Sequence, residues 1–174
     1  REPVMRVLGV DPGLTRCGIG VVDGAPGRTL SMLSVEVLRT PASDELGSRL
    51  AAIERAVSRH VAEHQPERLA IERVFSQHNV RSVMGTAQAA GICLLVAHRY
   101  GIPASMYTPT EVKAAVTGSG RADKAQVGMM VARILKESVI PGPPDAADAL
   151  ALAITDVWRG SGNRRIAEAL GARS

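Results

Sequence analysis

Val4-Met5-Arg6-Val7-Leu8-Gly9-Val10-Asp11, closed by Pro12-Gly13, is the stretch on which the fold turns. Alternation sends Val4, Leu8 and Val10 to one face and Met5, Val7, Gly9 and Asp11 to the other, with Arg6 the exception on the first. A branched apolar run of this length, ended by a turn, predicts a mostly buried strand. Asp11 takes its last position. A carboxylate there is costly unless something positive meets it, or it serves the Pro-Gly turn. The next apolar run, Cys17-Gly18-Ile19-Gly20-Val21-Val22, follows closely enough to predict a hairpin.

Further on, residues 30–38 predict a third strand. A helix is expected from about Ser43, with Asp44 and Glu45 in its positive first turn. Leu46, Leu50, Ile53, Val57 and Val61 form one apolar stripe along it. Arg68-Leu69-Ala70-Ile71-Glu72 predicts a short buried strand, and Glu72 ends it as Asp11 ends the first. Residues 80–98 predict a helix that is apolar nearly all round, either buried or packed on a partner subunit. Residues 103–107 predict a last strand. Thr108-Pro109-Thr110-Glu111 starts a short helix with a cap, a first-turn proline and a returning Glu. Gly118-Ser119-Gly120 is a loop, after which Asp123 and Gln126 cap another helix. After Pro141-Gly142-Pro143-Pro144, a helix is expected from Asp145 to Trp158, ending before Gly160. Residues 159–174 are expected to be a basic tail, either frayed or forming one amphipathic turn. The order implies an α/β fold with a mixed sheet covered on both faces. Right-handed crossovers would set the Arg68 strand beside the first, in parallel, with Asp11 and Glu72 at one edge.

The chain has 174 residues, 45% of them hydrophobic and 22% charged, which suits a single domain, residues 1–158, and a soluble class. Net charge is +4, and of the 21 basic residues only Lys113, Lys124 and Lys136 are lysines. Such a balance points only weakly to a polyanion partner. Cys17 and Cys93 lack metal-ligand spacing and predict buried free thiols rather than a disulfide or zinc site. Neither a long apolar span nor a signal-type N-terminus is evident, so a cytoplasmic location without membrane contact is expected.

Asp145 and Asp148 stand three apart at a helix start, on one face, with Cβ atoms roughly 5–6 Å apart. Asp145 has an ordinary role as a cap there. Asp148, set among small apolar residues, does not. If this helix lies over the sheet edge, Asp11, Glu72, Asp145 and Asp148 converge. Their repulsion would raise one another's pKa, and divalent cations would remove it. Oxygen-only ligands favour Mg²⁺ or Mn²⁺. Two such ions about 4 Å apart suit phosphodiester cleavage. Lys113 and Lys124, which bracket the glycine loop, can contact a phosphate or remain solvated surface lysines. Phe75, in a polar loop after Glu72, can stack on a base or fold into the core. Arg16, Arg73 and Arg81 lie near the proposed edge. His60, His64 and His78 are expected at the surface and His98 at a helix end; Ser76 has no evident base partner.

Val10-Asp11-Pro12-Gly13, Ile71-Glu72-Arg73-Val74-Phe75, the segment Gly118-Ser119-Gly120-Arg121-Ala122-Asp123-Lys124, and Asp145-Ala146-Ala147-Asp148-Ala149-Leu150-Ala151 together resemble the signature blocks of the RuvC-type Holliday junction resolvases. The resemblance spans about residues 5–157. It implies a ribonuclease H-like five-stranded mixed sheet with helices on both faces, and a homodimer acting on four-way junction DNA. It also implies paired, Mg²⁺-dependent nicks (Mn²⁺ substituting), a preference for T-rich sequence, and work alongside RuvA and RuvB in recombination and repair. By that likeness Asp11, Glu72, Asp145 and Asp148 are the metal-binding catalytic acids. Lys113 and Lys124 are the functional lysines, Phe75 engages a base at the opened junction, and the helix over residues 80–98 is the dimer element. Two rivals stand beside this. A sugar-kinase or actin-like nucleotide binder shares the flavour of Asp11-Pro12-Gly13-Leu14-Thr15 but needs a second similar half. A non-catalytic junction binder would have no use for Asp148 beside Asp145.

Overall fold

The computed structural model describes residues 3–73 and 80–171, with only the backbone described at 80, 81, 161 and 163–170. Phe75, Ser76 and His78 lie outside the described residues, as do the side chains of Arg81, Arg164 and Arg165.

The opening stretch forms β1 (Met5–Asp11), which pairs antiparallel with β2 (Arg16–Gly24) in a hairpin, and β2 pairs antiparallel with β3 (Ser31–Arg39). Helix α1 (Leu46–His64) then crosses to β4 (Arg68–Glu72), which lies parallel to β1. After α2 (Val80–Arg99), β5 (Ala104–Tyr107) joins β4 in parallel, giving the order β3-β2-β1-β4-β5. Three more helices follow: α3 (Pro109–Thr117), α4 (Lys124–Leu135) and α5 (Pro144–Gly171).

The alternation in β1 decides what each face meets. Leu8 and Val10 join Leu69 and Ile71 against Ile53 and Val57 of α1 and Cys93 of α2. Val7 and Ala70 face the other way, against Leu150 and Ile154 of α5 and the helices α3 and α4. Arg6 is tolerated on the α1 face because its guanidinium binds Asp23 at 2.7 Å and donates to the His64 carbonyl at 2.8 Å. Cys17 and Cys93 are buried free thiols, as expected. Among the described residues, no helix is long and apolar enough to cross a membrane.

Local signals in α3 and α4 hold. Thr108 and Glu111 form a capping box on α3, and Asp123 and Gln126 form one on α4. Four expectations need correction. The first helix begins at Leu46 rather than Ser43, because Glu45 itself is the cap, accepting from the Gly47 and Ser48 amides. Leu46, the first residue of the apolar stripe, is exposed, while Arg49 is buried in its place. His60 is buried too, its ring bound to Glu36 of β3 at 2.7 Å. Lastly, the expected tail from residue 159 is helical backbone to Gly171, so the helix does not stop before Gly160. The glycine there answers to packing. A Cβ on Gly160 would come 1.3 Å from the Arg68 guanidinium. That guanidinium is buried with Asp156, 2.7 Å away, whose other donor is the Tyr107 hydroxyl at 2.6 Å.

Candidate active site

The sheet delivers two carboxylates to one place. Val10 and Ile71 are partners across the parallel β1–β4 ladder, so Asp11 and Glu72, one step further, end adjacent strands at the same edge. Both follow the parity of Gly9 and Ala70 and so project to the α5 side. Helix α5 brings the second pair. It can lie unusually close to the sheet because the strands present glycines beneath it. A Cβ on Gly9 would stand 2.0 Å from the Ala149 carbonyl oxygen, and one on Gly18 would stand 2.2 Å from that of Asp145. The helix answers with alanines, Ala146, Ala149 and Ala153, all buried. The start of α5, with Asp145 and Asp148, is thereby pressed against the end of β1 and the start of β2.

The charges act on one another. Burial first, then the neighbouring charges of Glu72, Asp148 and Asp145, push the Asp11 carboxyl up to about 8. Burial and Asp148 also raise Glu72, partly offset by Lys124 and Lys113. Asp148 is raised by burial against the pull of Lys124. Lys124, the first residue of α4, places its ammonium 3.3 Å from the Asp148 carboxylate, and that charge raises it in turn. Lys113 on α3 is half-buried and close enough to be felt at Glu72 and Asp148. Arg16, at the hairpin turn, reaches Asp145 at 3.5 Å. Arg73 is exposed just past Glu72.

All six sequence-picked acids and lysines therefore belong to one edge of the sheet. An all-oxygen donor set suits a hard divalent cation, and a cation would relieve the repulsion that lifts Asp11 and Glu72. Among the described residues, no three His, Cys, Asp or Glu side chains stand within reach of one common ion. Sequence reasoning missed Arg49. It is buried beside this edge and bonded to the Thr15 and Thr40 hydroxyls. Its signal was faint: an Arg one turn into an amphipathic helix ordinarily reads as solvated.

Residues 7–156 match the family model described as crossover junction endodeoxyribonuclease RuvC. Similar curated relatives include the RuvC crossover junction endodeoxyribonuclease of Streptomyces avermitilis, 62% identical over 166 residues that cover 95% of this chain and 94% of the relative. The Thermobifida fusca protein of the same description is 61% identical, with 95% of this chain and 91% of the relative covered. Among solved structures, T. thermophilus RuvC in complex with a Holliday junction substrate superimposes with a TM-score of 0.86 at 33% identity, covering 91% of this chain and 96% of that one.

Proposed function

This chain belongs to the RuvC family of crossover junction endodeoxyribonucleases, and from that premise we propose how its own residues carry out the family's reaction. The protein is a divalent-metal-dependent DNA endonuclease of recombination and repair that resolves four-way junctions by phosphodiester hydrolysis. The observation that supports the residue assignment is the shared edge, where burial and neighbouring charge raise Asp11, Glu72 and Asp148, with Asp145 adding to the charge felt at Asp11 and Asp148.

Asp11, Glu72, Asp145 and Asp148 are the acids that would hold two Mg²⁺ ions, with Mn²⁺ able to replace them. Bound ions of this kind supply an activated water and stabilise the leaving oxygen. Half-buried oxygen-only ligands fit that role, because a cation would offset the negative charge that, with burial, raises Asp11, Glu72 and Asp148. Lys124 exchanges its Asp148 partner for a phosphate oxygen of the substrate, and Lys113 adds a second positive charge at the same edge. Their part is to neutralise charge building on the phosphate. Arg73 and Arg81 contact the DNA backbone, which fixes register without reading sequence. Phe75 stacks on a base at the opened junction centre.

The enzyme works as a homodimer through α2, so that two sites supply paired cuts, and it acts beside RuvA and RuvB in the cytoplasm. The family match over residues 7–156 supports taking residues 1–158 as the nuclease domain, with 159–174 appended to it.

The test is nicking of a synthetic four-way junction with Mg²⁺, with linear duplex as control. Asp11→Asn and Asp148→Asn are each expected to lower the rate by about three orders of magnitude or more, the loss of a metal-ion contribution worth several kcal/mol. Junction binding should survive in both. Cleavage at the wild-type rate by either variant would remove that acid from the assignment.

A further inference from the structure

A cleft of about 790 Å³ opens beside Asp145, between the β1–β2 turn, the loop entering α1 and the first turns of α2. Its polar lining includes Thr15, Arg16, Arg49, Ser82, Thr86 and Asp145. Gly85 on α2 and Leu14 on the turn also line it, and a Cβ on the glycine would stand 3.3 Å from the leucine side chain.

Arg49 sets the chemistry of this cleft. It is only 9% exposed, yet it takes part in none of the ion pairs among the described residues. Its Nε donates to the Thr40 hydroxyl at 3.1 Å, and its Nη2 donates to the Thr15 hydroxyl at 3.1 Å and the Thr40 carbonyl at 3.5 Å. Thr40 is itself fixed by donating to the Leu14 carbonyl. Glu45, one turn back, is committed to the Gly47 and Ser48 amides. The cleft's own carboxylate, Asp145, is met by Arg16. A buried guanidinium held by neutral acceptors alone keeps an uncompensated charge. Its planar fork is suited to a phosphate, and the Ser82 and Thr86 hydroxyls add donors across the cleft.

We propose that this cleft is a phosphate subsite in which Arg49 grips a backbone phosphate flanking the scissile bond on the strand being cut. The proposal rests on the junction-cleaving function above and adds a positioning residue to it. Arg49 is held in place before DNA arrives, so little side-chain freedom is lost on binding. The same grip ties the hairpin turn that carries Arg16 to the loop entering α1. The flanking phosphate, seated there, would fix the strand's position along the Asp145 edge.

The test measures junction binding across a salt series in the Asp148→Asn background, using the full chain. Arg49→Gln keeps hydrogen-bond donors for Thr15 and Thr40 but removes the charge. It is expected to weaken binding about tenfold or more and to lower the slope of log affinity against log salt by about 0.9, one phosphate contact. A neutral methylphosphonate, placed singly at each phosphate beside the scissile one, should cost the Arg49-containing protein affinity at one position. At that position Arg49→Gln should lose nothing further. Thr86→Glu, a half-buried helix position, sets a carboxylate in the cleft without touching the Arg49 bonds, and should weaken binding similarly. It keeps the proposal testable if Arg49→Gln melts early. Unchanged affinity and slope in a folded Arg49→Gln or in Thr86→Glu, or additive methylphosphonate losses at every position, would overturn the subsite. The unmodified enzyme, assayed alongside for junction nicking with Mg²⁺, separates the two claims. Absence of nicking sinks the assigned function, whereas nicking with an unaffected Arg49→Gln sinks only this proposal.

Discussion

Asp11 shows what convergence costs at the scale of one residue. Its folded-state pKa, about 8, lies above its ordinary value of 3.8. The folded protein therefore binds more protons than the unfolded chain between those values, and stability falls as pH rises through that window. The stabilising protonated state is fully present below about 4 and lost above about 8. Replacing the carboxylate with a neutral isostere should cancel this. Asp11→Asn, melted without divalent metal, is expected to be more thermostable than wild type at pH 8, with the gap closing as pH approaches 4. Each kcal/mol of difference reads as about 2–4 °C for a chain of this size. A difference independent of pH would mean that the Asp11 charge is not what strains the site. Added Mg²⁺ should raise the melting temperature of wild type more than that of the variant, since the variant lacks one of the proposed metal ligands. Asp11, Glu72 and Asp148 stood out because each sat where a charge needs a reason, at a buried strand end or among alanines, whereas Asp145 alone read as a helix cap. Arg49 and His60 were not, although His60 falls on the Ile53–Val57 stripe of α1 and could have been read as buried. Its acceptable burial depends on Glu36 from a distant strand, a pairing no local pattern discloses.

At the scale of elements, the contact between α5 and the β1–β2 hairpin sets the geometry of the site. The glycines of β1 and β2 lower strand propensity, yet they lie where the helix backbone comes closest. Alanine at Gly18 would drive a methyl into the Asp145 carbonyl, 2.2 Å from its ideal Cβ position, and must lift the start of α5. Gly18→Ala is expected to cost about 1–3 kcal/mol of stability, as overpacking does. It should also slow junction cleavage at least tenfold at a temperature where the variant is still folded, with DNA binding largely kept. Gly128, on α4 with nothing within 4 Å of its ideal Cβ, is the matched control, and Gly128→Ala should leave the rate alone. Equal rates for the two variants would argue that α5 tolerates displacement. Most elements could be read from the chain, since caps and turns are local. The misreading of α5 has a physical cause. Gly160-Ser161-Gly162 has the composition of a helix stop, but Gly160 is small in order to admit Arg68, which starts β4. A glycine required by a partner far away in sequence looks the same as one required by a turn.

At the scale of the whole molecule, the outer face of α2 is an apolar surface left exposed among the described residues. The inner face of α2 packs Ala89, Cys93, Val96 and Ala97 against α1 and the sheet. Its outer face carries Met84, 58% exposed, and Leu95, 41% exposed, with Ala87 and Gly91 between them in the open. Positions 84, 87, 91 and 95 fall on one helical stripe, small in the middle and bulky at the ends, a shape that lets two helices approach closely. A junction presents two strands of like polarity related by an approximate two-fold, and a two-fold dimer would offer two sites with the same relation. The double substitution Met84→Glu with Leu95→Glu places charges on that stripe while leaving the inner face alone. It should convert the proposed dimer into a monomer of unchanged helical content, read by light scattering after size exclusion. On a cruciform plasmid, which stays supercoiled only until its first nick, the monomer should release nicked circles where the dimer releases linear product from paired cuts. Linear product from a proven monomer would separate paired cutting from this helix, and a variant that stays dimeric would place the subunit contact on another face of the fold.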